Sequence, residues 1–223
     1  MRSRTPASVV DEIEYLVKRF GVRSVLFRDP IFTIDRARVE GIATLLLERN
    51  VRVEWGCETH LNHLDEELIA LMRRSGLRTI NVGIEGVDDA VLGDMHRKMI
   101  KVDRQQQIVR SCESQGVQIA GFYILGLRTD TAANIRKVID YAKRLNTTFA
   151  QFTICTPYPG TPFFSEMRGS IVDFNWEHFD GFTPVFQHDS LTRDELIGWR
   201  ERAMAEYYAR PRWAAKFVRQ LVS

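Results

Sequence analysis

The sequence predicts an α/β protein, a partial and open (β/α) barrel with a helical C-terminal extension. Three observations lead there. Five stretches share one plan: a Gly or Asn ends a helix, an apolar strand follows, and polar or turn-forming residues close it. Gly21, Asn50, Gly76, Gly116 and Asn146 stand at the junctions, where a terminating helix needs a left-handed residue. The predicted strands cover residues 23–28, 51–57, 78–84, 117–125 and 149–155. Their recurrence at about 25–40 residues suits the βα units of a barrel rather than a solenoid. The stretches between them carry apolar residues at helical spacing. The first such stretch precedes every strand, whereas a βα barrel normally begins with a strand. A first strand is therefore expected upstream of Met1.

Composition narrows the class. With 223 residues, 44% of them hydrophobic, the chain can bury one substantial core. Lys+Arg of 31 against Asp+Glu of 29 leaves a net +2, too balanced to argue for nucleic acid or an anionic membrane. No apolar run approaches the ~20 residues of a membrane span, and no signal peptide opens the chain, so a cytoplasmic location is expected. Cys57, Cys112 and Cys155 are odd in number and widely spaced, which speaks against a disulfide framework.

In chain order, Thr5 and Pro6 read as N-cap and first helical position of a helix burying Val9, Val10, Ile13, Leu16, Val17 and Phe20. Thr33 is expected to cap the next, with Val39, Ile42, Ala43, Leu46 and Leu47 as its core stripe. A third starts near Asp65, its acids suited to the positive helix end, and buries Leu68, Leu71 and Met72. Residues 88–115 are expected to hold a short and a longer helix, broken around 99–102. Another helix, from about 132 to 145, buries Ile135, Val138, Ile139 and Ala142. Pro157, Pro159, Gly160 and Pro162 argue against regular structure, and a Phe- and Trp-rich loop follows over 163–186. Thr192 and Glu195 form a capping box that opens a helix through Leu196, Trp199, Ala203 and Tyr207. Trp213, Phe217 and Leu221 mark a last amphipathic piece. Two domains follow: a barrel over residues 1–162 and an extension over 163–223.

In a βα barrel the chemistry sits where the strands end. Arg28, Asp29, Glu58, His60, Glu85, Arg128, Asp130, Thr156 and Tyr158 fall there. Three readings compete. Asp29, Glu58, Glu85 and His60 could hold a divalent ion, with Cys57, His60 and His63 as a weaker set. The acids could instead cap helices. Or they could accept hydrogen bonds from a polar, zwitterionic cofactor.

Several segments resemble the radical S-adenosylmethionine (SAM) enzymes, in the branch that usually carries a cobalamin-binding domain. The segment at 2–6 followed by 9–13 resembles what comes just after that family's cluster motif. Phe27-Arg28-Asp29-Pro30-Ile31-Phe32-Thr33 resembles its second-strand turn, Trp55-Gly56-Cys57-Glu58-Thr59 its third strand and Gly83-Ile84-Glu85 its fourth. Residues 121–127 resemble its fifth strand and 156–162 its sixth. The likeness runs in order along nearly the whole chain. It implies a six-stranded partial barrel with SAM across the strand ends. By the resemblance, the Asp29 turn meets the methionine amine, and Glu58 and Glu85 reach the amino acid or ribose. Ile124 and Gly126 pack beside adenine, and Thr156 to Tyr158 line its edge.

Two departures stand out. The family usually continues Pro-Gly-Glu-Thr where this chain has Arg128-Thr129-Asp130-Thr131, in which Asp130 is expected to cap the next helix. And there is no CxxxCxxC, the motif that holds a [4Fe–4S] cluster. The expectation is a radical SAM fragment truncated just after that motif and inactive as it stands. The full-length form is expected to be a cobalamin-associated methyltransferase or cyclase acting on a small hydrophobic or heterocyclic substrate, with a cobalamin domain upstream. The alternatives are a non-catalytic barrel remnant serving as a binding module, or a divalent-metal barrel enzyme.

Overall fold

The computed structural model describes residues 3–84 and 102–222. Five parallel strands form one sheet in sequential order: β1 (Ser24–Phe27), β2 (Glu54–Thr59), β3 (Leu77–Gly83), β4 (Gln118–Leu125) and β5 (Phe149–Ile154). The helices are α1 (Pro6–Phe20), α2 (Arg36–Glu48), α3 (Glu66–Arg74), α4 (Val102–Ser114), α5 (Ala132–Leu145), α6 (Pro162–Met167), α7 (Arg193–Tyr208) and α8 (Pro211–Val222). Among the described residues no helix is long and apolar enough to cross a membrane. The expected short helix after residue 88 lies outside the described residues.

Contacts divide the chain into two compact units. The described residues of Met1–Gly83 and Ile100–Ala120 form one, those of Ile84–Met99 and Gly121–Ser223 the other.

In the first unit, Thr5 caps α1 by accepting from Ser8 N, with Pro6 at the first turn. Val9, Val10 and Ile13 are buried, but Phe20 is 65% exposed and leaves the predicted stripe. Thr33 does not cap α2. Asp35 does so, accepting from Arg38 N, and the buried Thr33 hydroxyl pairs with that of Thr59 instead. Along α2 the stripe is Val39, Ile42, Ala43 and Leu46, while Leu47 is 41% exposed. Asp65 caps α3, which buries Leu68, Ile69 and Met72, with Ile69 taking the place expected of Leu71.

The second strand starts three residues later than predicted. Asn50 adopts the expected left-handed conformation (φ 52°), but Val51 N still bonds back to Leu46 O at 2.9 Å. The ladder to β1 first pairs Ser24 with Glu54 and runs on to Phe27 and Cys57. So Glu58 and Thr59, beyond the predicted end, are strand residues, not loop. A bulge follows: Trp55 pairs with Leu77, but Gly56 pairs with Thr79, leaving Arg78 as the extra residue. Trp55, Cys57 and Thr59 are buried on one face, and Phe27 and Phe32 pack on Trp55 at 5.6 and 5.7 Å. Burying a side chain of this size stabilises by roughly 1.5–3 kcal/mol.

In the second unit, Thr131 rather than Asp130 caps α5. Pro162 opens the short helix α6 behind its cap Thr161, since proline fits the first turn of a helix. The capping box between Thr192 and Glu195 is present. Tyr123 stacks on Phe152 (5.0 Å), which meets Tyr207 edge-on (6.0 Å). The C-terminal helices bond β5 and its approach through side chains. Tyr208 Oη accepts from Ala150 N and donates to Ala150 O, and Trp213 Nε1 donates to Thr148 O at 2.9 Å. A second cluster gathers Leu127, Cys155, Met167, Phe179, Val185 and Phe186, so much of the aromatic loop is packing. Phe174 and Trp176 stay 52% and 61% exposed.

Candidate cofactor-binding site

In a pleated strand, alternate side chains share a face. On β2 the face opposite Trp55, Cys57 and Thr59 carries Glu54, Gly56 and Glu58. A Cβ on Gly56 would lie 2.3 Å from Thr79 Oγ1 and 3.2 Å from Leu26 Cδ1, so those side chains close over it. Glu58 pairs in register with Asn81, one step nearer the strand ends. Glu58 and Asn81 are half-buried, and Glu58 is ion-paired with the largely exposed Arg28 just past β1. The half-buried Asp29 carboxylate stands 3.7 Å from Arg38 Nη2. Arg38 is itself fixed over the Phe32 ring and by donating to Arg4 O at 3.1 Å. The ends of β1–β3 thus present two carboxylates, each beside a guanidinium, and one amide. That is a surface for a ligand carrying both an amine and acceptor groups. Asn81 was not singled out from sequence; its place beside Glu58 follows from the β2–β3 register. Glu85 lies outside the described residues.

Metal ligation finds little here. Cys57 is fully buried, His60 caps a short turn by accepting from Asn62 N at 3.4 Å, and no trio of His, Cys, Asp or Glu among the described residues is grouped to hold an ion. Cys57, Cys112 and Cys155 are all buried. Burial pushes the Cys57 thiol well up and that of Cys112 to about 12. The chain's cysteines therefore do not fit an iron–sulfur cluster, which needs three converging thiolates.

In the second unit, Ile124 is partly buried against the apolar cluster. Gly126 is left-handed (φ 71°), and a Cβ there would meet Leu196 Cδ2 at 2.6 Å. The loop beyond closes on itself: Asp130 Oδ2 accepts from Leu127 N at 3.0 Å, and Asp130 N donates to Leu127 O at 2.7 Å. Asp130 thus closes this turn. The buried His188 fastens it. Its Nδ1 accepts from Ser190 N and Leu191 N, both at 3.1 Å, so Nε2 carries the proton and donates to Leu127 O at 2.8 Å. Nothing in the local sequence marked His188. Thr156 Oγ1 donates to Ile154 O at 3.0 Å, and Tyr158 is 48% exposed.

A sequential parallel sheet flanked by helices defines an α/β protein of the open βα-barrel class. The family model described as the Radical SAM superfamily matches residues 1–168. The chain belongs to the radical SAM superfamily of enzymes. It is 25% identical over 219 residues to an uncharacterized methyltransferase of Pyrococcus horikoshii, covering 97% of this chain and 48% of that one. It is 29% identical over 208 residues to the anaerobic magnesium-protoporphyrin IX monomethyl ester cyclase of Rubrivivax gelatinosus, covering 92% and 37%. The radical SAM methyltransferase TsrM of Kitasatospora setae, solved with cobalamin and a [4Fe–4S] cluster, superposes with a TM-score of 0.67 at 23% identity, over 74% of this chain and 34% of that one. The chain thus spans half or less of the length of these relatives.

Proposed function

We propose that this chain is the SAM-binding barrel portion of a radical SAM enzyme whose whole polypeptide is a methyltransferase or cyclase. The observation that carries this is the polar face at the ends of β1–β3, where Glu58 stands beside Asn81 with Arg28 and Asp29 next to it. SAM, when bound, supplies a methyl or adenosyl group. The chain's own residues bind and orient it. Asp29 and Glu58 accept hydrogen bonds from the amine and ribose hydroxyls, and the Asn81 amide serves either partner. Following the family resemblance, Glu85 joins them, Ile124 and Gly126 pack against adenine, and Thr156 and Tyr158 take its edge.

The division into a barrel over 1–162 and an extension over 163–223 belongs to the same reading. So does the use of a [4Fe–4S] cluster and cobalamin by the whole protein, in keeping with TsrM. The buried cysteines favour binding rather than catalysis for the chain by itself. Exposed Phe174 and Trp176 favour a small substrate of apolar or heterocyclic character.

The test is equilibrium dialysis of the chain against labelled SAM. Saturable binding in the range of about 1 mM is expected, since part of the whole protein's ligand set is supplied elsewhere. Glu58→Gln and Asn81→Ala should each weaken it by roughly 1–2 kcal/mol. Absence of saturable binding, or affinity unchanged in both variants, would defeat the reading.

A further inference from the structure

At the opposite ends of β1–β3 lies a second cavity, of about 470 Å³, built wholly within the first unit. Arg23, Arg52, Arg74 and Arg78 line it, with Glu54 as the one acidic side chain among the described residues that line it. Arg78 is engaged, its Nε donating to Glu54 Oε1 at 2.9 Å. The side chains of Arg23, Arg52 and Arg74 make neither ion pair nor hydrogen bond with any described residue. Elsewhere in this unit arginines are characteristically used: Arg36 holds Asp65 and Glu40, Arg49 holds Asp11, and Arg73 and Arg104 hold backbone carbonyls. Among the described residues of the unit, Arg19 alone shares their lack of a partner, and it does not line the cavity.

The local field is positive even after its neighbours are counted. The C-terminal ends of α2 and α3 point here, each equivalent to about half a negative charge. Four guanidinium groups less Glu54 and those two helix ends leave about +2. The floor is apolar: Leu46 and Val53 are buried, and Leu47 is 41% exposed. A helix stripe residue left in the open is accounted for if something else covers it.

We propose that this cavity binds a small organic phosphate, its anionic head held by Arg23, Arg52 and Arg74 and its apolar body lying on Leu47. Guanidinium groups grip phosphate through paired, charge-assisted hydrogen bonds, and an apolar floor discriminates an ester from the bare ion. The site is separate from the strand-end carboxylates and owes nothing to their assignment.

Titration of the ¹⁵N-labelled chain with hexyl phosphate tests it. The Gly76 amide and the Trp55 indole N–H, which donates to Ser75 O beside the cavity, are the reporters. Saturable shifts are expected, weakening as salt rises. Arg52→Gln and Arg74→Gln should each weaken binding about tenfold, the scale of one charge-assisted hydrogen bond, while Arg19→Gln leaves it unchanged. Inorganic phosphate should bind several-fold more weakly, and hexanol should not saturate. Absence of saturable shifts, binding undiminished from the parent chain in both Arg52→Gln and Arg74→Gln, or phosphate binding as tightly as its hexyl ester would overturn the proposal. Since all three arginines are solvent-exposed, loss of folding does not confound the variants.

Discussion

The Glu206 carboxylate meets the Arg136 guanidinium in a fork, Nη1 at 2.8 Å from one oxygen and Nη2 at 2.9 Å from the other. Lys143 Nζ adds a third bond at 2.8 Å. Together the Arg136 and Lys143 hydrogen bonds hold the carboxyl at about 2, below its ordinary 4.5. A carboxyl lowered on folding stabilises above its unfolded value and loses that contribution as pH falls through its folded one. Glu206→Gln should therefore cost about 1–2 kcal/mol at neutral pH, allowing for solvent screening at this partly exposed site. The difference from the parent chain should shrink between pH 4.5 and about 2. Urea unfolding at pH 7 and pH 3 measures it, and a pH-independent difference would contradict the assignment.

Gly126 separates a structural from a ligand role. Gly126→Ala must place a side chain at a left-handed position and push it into Leu196. A loss of about 2–4 kcal/mol is expected. Adding Leu196→Ala should recover part of the clash, so the double-mutant cycle gives a coupling that a purely ligand-contacting glycine would lack.

The paired hydroxyls of Thr33 and Thr59 supply a third test. Thr59→Val leaves a buried Thr33 hydroxyl without its partner and should cost about 1–3 kcal/mol. Replacing both with Val should cost less than the single change. Equal costs would mean that the pairing contributes nothing.

These cases mark what was legible. Thr5, Asn50, Asn146 and the Thr192–Glu195 box were read correctly because each rests on bonds within a few residues of itself. Thr33 misled because its partner lies 26 residues away, and His188 escaped notice because it fastens a loop 61 residues upstream. The start of β2 is fixed by its ladder to β1, which no local pattern reports. Asp29 and Glu58 were legible as strand-end acids. Their guanidinium partners and Asn81 became visible only once the strands were in register.

Thiol chemistry gives a further expectation. With Cys57 and Cys112 fully buried, the native chain should react with Ellman's reagent slowly at neutral pH and rapidly once unfolded. Anaerobic treatment with iron and sulfide should yield no stoichiometric cluster, and dithionite with SAM should release no 5′-deoxyadenosine. A stoichiometric cluster with 5′-deoxyadenosine would refute this.

The two borders of the sheet differ in their capacity to recruit another strand. A residue in a strand directs its N–H and C=O to the same side, and at Ala150 both are taken by one Tyr208 hydroxyl. A side chain there does what a sixth strand would do, so β5 is sealed against further pairing. At the other border β1 pairs only with β2 among the described residues, and Leu26 is 49% exposed. Such a sheet can lengthen in one direction only. Two copies could meet β1 to β1, and that contact would use up both open borders, which limits edge-driven association to pairs and blocks the route to a fibre.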